Sequence, residues 1–280
     1  MGLTTDEIAA HPALPACIRR QSAALVQAFE ANPRLASVFA TQQRWLMAHL
    51  ALALYFRSHD KGFKITEFLD LIDRHEVASR NTADTFVKEM LKYNFARIVR
   101  GANDRRARPI EPTEASLKEI QDWLVVHFAT LDGLDGGRRA QTCHETPGLT
   151  TVIQPLIADA LLSSPKVREP EKTFSLFTWL NNGGIVMDRI IAGIDEADAG
   201  SERIPTTITS VKEMAAWLHL SRSHLVRKLR DAEALGSIGW QGKRGQSVMW
   251  VSQGFRLEYT MAQAVKLAII DQAYGLVTGV

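Results

Sequence analysis

The chain has 280 residues, 46% hydrophobic and 23% charged, so it can bury ordinary cores and is long enough for two domains. No stretch approaches the roughly 18 uncharged apolar residues of a membrane helix. The acidic start (Asp6, Glu7) also lacks the basic and apolar parts of a signal peptide, so a cytoplasmic protein is expected. Net charge is only +2, but residues 80–110 carry eight cations and three acids and residues 205–256 the same, so two islands of +5 leave the remainder at −8. Two basic islands in an acidic body suit a protein that offers two surfaces to phosphate.

In chain order, a helix is predicted from Ile18 to Phe29, and further helices carry Trp45, His49 and Tyr55. Ser79 opens a short helix that Asn94, a residue type tolerant of the left-handed conformation, brings to a stop. A strand over Ala96–Arg100, a turn through Gly101–Arg106 and a second strand over Arg108–Glu111 follow. Thr113 then caps a helix with Leu117, Ile120, Leu124 and Phe128 at helical spacing. The glycine-containing segment Leu131–Thr150 has no apolar period and reads as a linker, which makes Cys143-His144-Glu145 a loop rather than a metal site.

Beyond it the same order returns. Asn182-Gly183-Gly184 marks a bend or close packing of a helix. Thr209 is positioned to cap a helix with Val211, Met214, Ala215 and Leu218 on one face, and Ser221 caps the next. Only Leu218-His219-Leu220 separates the two, so they must cross steeply. Leu225, Leu229 and Ala232 then point inward, and Arg222, Ser223, His224 and Arg227 outward. Two short strands, Ser237–Trp240 and Ser247–Val251, flank a turn that carries Lys243 and Arg244. The closing helix Phe255–Tyr274 has an apolar stripe of Leu257, Met261, Val265, Leu267, Ala268 and Ile269.

Setting Ser79-Arg80 on Ser221-Arg222 gives an offset of 142 residues, at which Asn94 meets Gly236. A weaker echo pairs Asn32-Pro33-Arg34-Leu35 with Ser164-Pro165-Lys166-Val167. The pattern is an internal duplication. The expected fold is mainly α with short β-hairpin wings: two winged helix-turn-helix domains, 1–132 and 151–280, joined by a linker at 133–150. Three positions break the match: Glu76 stands opposite apolar Leu218, Asp84 lies on the outward face of the first second-helix, and Lys228 replaces Phe86. The first predicts a distortion or a one-residue shift.

The run Ser79-Arg80-Asn81-Thr82, the spacing to Asn94, the stretch Asp104-Arg105-Arg106-Ala107-Arg108-Pro109 and the following Thr113-Glu114 resemble the multiple antibiotic resistance regulator family. The resemblance covers about residues 45–130 and, more loosely, 175–275. It implies a transcriptional regulator that places each second helix in a major groove and each wing arginine in a minor groove, with a possible small-molecule effector. A tandem chain would supply both halves of what is usually a homodimer, as a monomer with pseudo-twofold symmetry or as a further homodimer.

The residue chemistry supports a double-stranded DNA partner independently. Arg80 or Arg222 can contact guanine in bidentate fashion, Asn81 adenine, and Thr82, Ser223 or His224 base edges or phosphates. Lys88, Lys92, Arg227 and Arg230 suit phosphate, and Arg105, Arg106, Arg108, Lys243 and Arg244 suit a narrow minor groove. Two such modules would address half-sites roughly 34 to 36 Å apart. No nucleophile elbow, phosphate-binding glycine loop or His-Glu-x-x-His helix is present, so neither an enzyme nor a cofactor is expected. Cys17, though close to Arg19 and Arg20, reads as an inert thiol, and Trp45, His49, Tyr55 and Trp179 as core aromatics ahead of lining an effector pocket. The rival from another class is a tandem winged-helix scaffold that grips proteins without specific DNA binding.

Overall fold

The structure is a computed structural model and describes residues 2–36, 41–59, 61–99, 108–170, 172–194 and 200–279. It is mainly helical (68%) with small antiparallel sheets. The first half runs α1 (Thr5–Ala10), α2 (Leu14–Ala31), α3 (Pro33–Ala36), α4 (Gln42–Arg57), α5 (Ile65–Arg74), α6 (Arg80–Lys92), β1 (Ala96–Ile98), β2 (Ile110–Pro112) and α7 (Glu114–Asp135). The second runs α8 (Arg139–Glu145), α9 (Leu149–Ser163), α10 (Pro165–Arg168), α11 (Lys172–Thr178), α12 (Gly183–Ala192), β3 (Arg203–Pro205), α13 (Val211–Trp217), α14 (Arg222–Ala234), β4 (Ile238–Trp240), β5 (Met249–Ser252) and α15 (Gln253–Thr278). Among the described residues no helix is long and apolar enough to cross a membrane.

The segment read as a linker is helical. α7 continues to Asp135 and ends on Gly136, whose φ of 74° is the left-handed stop that glycine supplies without strain. α8 begins three residues later, because the Asp132 carboxylate accepts the backbone N–H groups of Arg139 (2.8 Å) and Ala140 (2.9 Å) and so caps its first turn. Arg139 is 12% exposed and donates to Asp135 (2.7 Å) and to Asp271 of α15 (2.7 Å). Those carboxylates hold its guanidinium above the usual range against the opposing effect of burial. The glycines are thus a helix stop pinned by four charged side chains, and Cys143 sits buried on α8, its thiol pushed up by burial.

The boundary between halves is not the boundary between compact units. One unit comprises Met1–Leu3, Gln42–Arg168 and Ala268–Val280, and the other Thr4–Thr41 and Glu169–Leu267. The division at 133–150 is therefore corrected: α8 to α10 and the end of α15 from Ala268 fold with α4 to α7, and α1 to α3 with α11 to α14 and the start of α15. The reason is burial. α4 is apolar nearly all round, burying Leu46, Met47, Leu50, Ala53 and Leu54, and it needs a partner more apolar than the short helices that follow it. That partner is α9, whose Ile153, Ile157, Ala158 and Leu161 are fully buried.

In this first unit α5 packs on α6 through Phe68 and Phe86, with ring centroids 6.4 Å apart, and β1 pairs antiparallel with β2 (Ile98 opposite Ile110). Phe63 adds one antiparallel bridge to Ile110. In the second unit α12 lies against α2, α13 against α14, and the sheet order is β3-β5-β4. β3, not expected from the sequence, is three residues long and ends in Pro205, too short to carry an alternating pattern. Phe255 and Tyr259 of α15 pack near Phe177 and Phe174. The stripe expected on this helix is displaced in its first part. Its first members, Leu257 and Met261, are exposed, while Val265 and Leu267 are buried as expected together with Phe255, Tyr259, Gln263, Ala264 and Ile270.

A polar knot fixes the register of three helices in the second unit. The buried Asp188 carboxylate on α12 accepts from Ser22 Oγ of α2 (3.3 Å) and from the Tyr259 hydroxyl of α15, while Gln21 Nε2 donates to Gln263 Oε1 (2.9 Å). Burial pushes the Asp188 carboxyl up to about 6 and the Tyr259 hydroxyl well above its ordinary value, and lowers half-buried Lys266, which faces Asp188, to about 8.

Candidate nucleic-acid interface

Each unit presents a pair of short helices followed by a hairpin. In the first, α5 ends where Glu76 adopts φ 50° and Val77 N–H donates back to Ile72 O (3.1 Å). In the second, α13 ends where His219 adopts φ 54° and Leu220 N–H donates back to Ala215 O (2.9 Å). Glu76 and His219 therefore hold the same place, and the first connection is one residue longer, at Ala78. The mismatch of Glu76 with Leu218 is a shift, not a distortion. Both second helices then run for 13 residues from a serine and end at a left-handed residue, Asn94 (φ 58°) or Gly236 (φ 71°).

The caps differ in detail. Ser79 Oγ accepts the N–H of Thr82 (3.2 Å), whereas the side chain of Ser221 makes no capping bond and meets Ser223 Oγ instead (2.8 Å). α13 is capped by Ser210, whose Oγ accepts from Glu213 N–H (3.3 Å), one residue later than the Thr209 expected. An isolated Ser/Thr pair leaves such a choice open, since either hydroxyl can reach.

Burial sorts the faces of the second helices. Ala83, Phe86, Val87 and Met90 are buried on α6, leaving Arg80, Asn81, Thr82, Thr85 and Lys88 exposed. On α14 Leu225, Leu229 and Ala232 are buried, and Arg222, Ser223, Arg227 and Arg230 are exposed. His224 is half-buried rather than fully outward. The outward N-terminal turn of each helix thus brings together the side chains read as base-contacting. Arg105 and Arg106 lie outside the described residues. Arg108 is exposed at a φ of 33°. Lys243 and Arg244 are exposed on the β4–β5 turn, which Ser247 holds by accepting from Gly242 N–H (3.0 Å) and donating to Lys243 O (3.0 Å).

The electrostatics of the two surfaces differ, and the sequence did not show it. On the first, Arg80 is paired with Asp70 of α5 (2.7 Å) and Lys88 with Asp84 (2.6 Å). Behind them Arg44 is paired with Glu89 (2.6 Å), and Arg97 on β1 with Glu111 on β2 (2.6 Å). On the second, Arg222, Arg227 and Arg230 make no ion pair among the described residues, while Arg244 is paired with Glu233 (2.8 Å). The Asp70 pair spans two helices across a variable turn, so no linear spacing announces it. Asp84 and Lys88 follow the i,i+4 rule and were legible. Arg203, whose guanidinium lies 4.4 Å over the Trp250 ring, adds an exposed cation at the sheet edge that the sequence reading also missed.

The aromatic residues read as core or effector-lining divide. Trp45 and His49 of α4 cluster with Trp123 and His127 of α7 (centroids 4.1 to 6.2 Å apart), and Tyr55 is buried. Trp179 is 62% exposed and belongs to no such cluster. Cys17 is buried, with Arg20 Nη2 3.0 Å from its sulfur. No set of three or more His, Cys, Asp or Glu side chains is placed to hold a metal among the described residues. No protein-family model, no curated protein and no solved structure matches this chain.

Proposed function

We propose that the chain is a sequence-specific regulator of transcription that binds double-stranded DNA through two winged helix-turn-helix modules related by internal duplication. The observation that carries this reading is the pair of 13-residue helices 142 residues apart, each opened by Ser-Arg with its first turn exposed and each followed by an antiparallel hairpin. Such a helix has the length and polarity to enter a major groove, with Arg80, Asn81 and Thr82 or Arg222, Ser223 and His224 at base edges. The hairpins then serve as wings, with Arg108 or Lys243 and Arg244 near the adjacent backbone or minor groove.

Further support comes from the element order. Taken from α4, the first half runs helix, helix, helix, hairpin, long helix; the second half repeats this from α12, with β3 and the Phe63 bridge in the same place beside the hairpin. On this reading the modules act as a pseudo-dimer on two half-sites, and the chain catalyses no reaction.

Selection of bound duplexes from a random pool at physiological salt tests it. Recovery of a motif with two half-sites, one lost with Arg222→Ala and the other altered with Arg80→Ala, is the expected result. An unenriched pool, with capture only of proteins, would instead make the chain a tandem scaffold.

A further inference from the structure

Resting on the DNA-binding reading above, we infer that the two surfaces are electrostatically unequal by construction: the α14 surface carries the affinity for the phosphate backbone, and the α6 surface is compensated by the chain's own carboxylates. Phosphate affinity is set by how many unpaired cations a surface brings to the duplex, because each one releases condensed counterions when it arrives. A cation that already faces a carboxylate releases little.

The geometry assigns the pairs. Asp70 holds the guanidinium of Arg80, at the N-terminal turn that would enter the groove, and Asp84 holds the ammonium of Lys88 one turn further along. These pairs are half-exposed and individually weak in water. Their effect on DNA does not depend on that strength, since each carboxylate lies less than 3 Å from its cation and repels an incoming phosphate.

The corresponding positions of α14 lack the compensation. At the 142-residue offset Asp84 becomes Val226, Thr85 becomes Arg227 and Lys88 becomes Arg230. One acid is lost and a cation gained at Arg227, while Lys92, one turn after Lys88, becomes Ala234. The counterpart of Asp70 across the one-residue shift is Glu213, which makes no ion pair with Arg222. Arg222, Arg227 and Arg230 are therefore all open to phosphate, whereas Arg80 and Lys88 are both engaged. Three core positions stay apolar in both helices (Ala83 and Leu225, Val87 and Leu229, Met90 and Ala232), and the fourth, buried Phe86, becomes half-buried Lys228, a further cation on α14.

The partner that fits this arrangement is a duplex with one tightly held half-site and one read weakly. The test uses the full chain and a fluorescein-labelled mixed-sequence duplex, with binding followed by anisotropy between about 50 and 200 mM salt. Arg227→Ala with Arg230→Ala should weaken binding by about tenfold or more and reduce the salt slope by about 1.8, at roughly 0.9 per phosphate contact. Arg80→Ala with Lys88→Ala should change affinity by less than about threefold and leave the slope in place. Asp70→Asn with Asp84→Asn should steepen the slope and tighten binding.

Equal losses from the two arginine and lysine double variants would overturn the inference, as would weaker binding by the Asp70→Asn, Asp84→Asn chain, which would mean that Asp70 orients Arg80 for a base. Both results leave DNA binding itself intact. A wild-type chain with no affinity for the duplex at the lowest salt would instead remove the DNA-binding reading and this inference with it. All substituted side chains are at the surface, so unfolding midpoints within about a degree or two of the wild type confirm that each variant is folded.

Discussion

Asp188→Asn separates the cost of a buried charge from the value of the hydrogen bonds around it. Asp188 is 6% exposed, accepts from Ser22 Oγ and the Tyr259 hydroxyl, and faces Lys266, with Gln21 and Gln263 forming the adjacent polar layer. Its carboxyl is pushed from 3.8 up to about 6 by burial, only partly offset by those partners. The folded protein thus binds this proton more tightly than the unfolded chain does. Between about pH 4 and 6 the native state holds more protons, and the stability contributed by this group is complete at the acid end and lost as pH rises through 6.

With about 1.4 kcal/mol per unit, the loss from about pH 4.5 to 7 is on the order of 2 kcal/mol. Asparagine keeps the acceptor oxygen for Ser22 and Tyr259 and carries no charge, so it lacks this dependence. Urea unfolding of both chains at the two pH values should show the variant gaining on the wild type by about 2 kcal/mol toward neutral pH. Lys266 works the other way, since it is lowered to about 8 and adds stability only as pH rises above that value. A variant that falls further behind the wild type at neutral pH than at acid pH would refute the reasoning and make the ionised Asp188–Lys266 pair a net stabiliser.

Other substitutions test the fold at single points. Ser79→Ala should cost about 1 kcal/mol by removing the bond to Thr82 N–H, and Ser221→Ala only a few tenths, because Ser221 caps nothing with its side chain; paired urea titrations would show the difference. Gly183→Ala should destabilise by about 2 kcal/mol or more, since its Cβ would fall 1.7 Å from the Phe177 carbonyl oxygen, while Gly184→Ala meets nothing within 4 Å and should be neutral or stabilising. Arg139→Ala should cost roughly 3 kcal/mol by leaving Asp135 and Asp271 without their cation, and the loss should shrink in acid as Asp135, whose carboxyl Arg139 holds below its ordinary value, protonates; unfolding midpoints at neutral and acid pH check both parts.

The helices that form the candidate interface were legible because their signals are local. Ser79, Asn94, Ser221 and Gly236 are caps and stops whose meaning lies within a few residues, and the inward set of α14 follows from helical spacing alone. Partnership over distance was not legible. Nothing near α4 states that α9, about a hundred residues on, covers it, and glycines at 133, 136 and 137 give the same composition for a linker as for a helix stop held by Arg139. The first part of the α15 stripe, Leu257 and Met261, failed for a related reason, although Val265 and Leu267 are buried as read. Leu257 and Met261 are apolar and helically spaced, yet the face that packs includes Tyr259 and Gln263, whose burial depends on polar partners contributed by α2 and α12. The pairing of Arg80 with Asp70 likewise depends on how two helices cross.

The exchange of segments bears on how the two halves could have diverged. Each unit draws essential core from both halves: α4 is covered by α9, and α12 by α2. A fragment cut at the glycines, Met1 to Asp132, would leave Leu46, Met47, Leu50, Ala53 and Leu54 of α4 without that cover and should not unfold cooperatively. On the duplication reading, core positions are then constrained twice, once by their own unit and once by the segment lent to the other, which agrees with the apolar pairs Ala83 and Leu225, Val87 and Leu229, Met90 and Ala232, Phe86 against Lys228 being the exception. Outward positions carry no such constraint. Asp84 against Val226 and Thr85 against Arg227 are the kind of change that alters a charged surface at almost no cost to folding. A homodimer has one gene for both surfaces and cannot make such changes on one side alone. A single chain can, and the uncompensated cations of α14 beside the paired cations of α6 are the outcome that this freedom predicts.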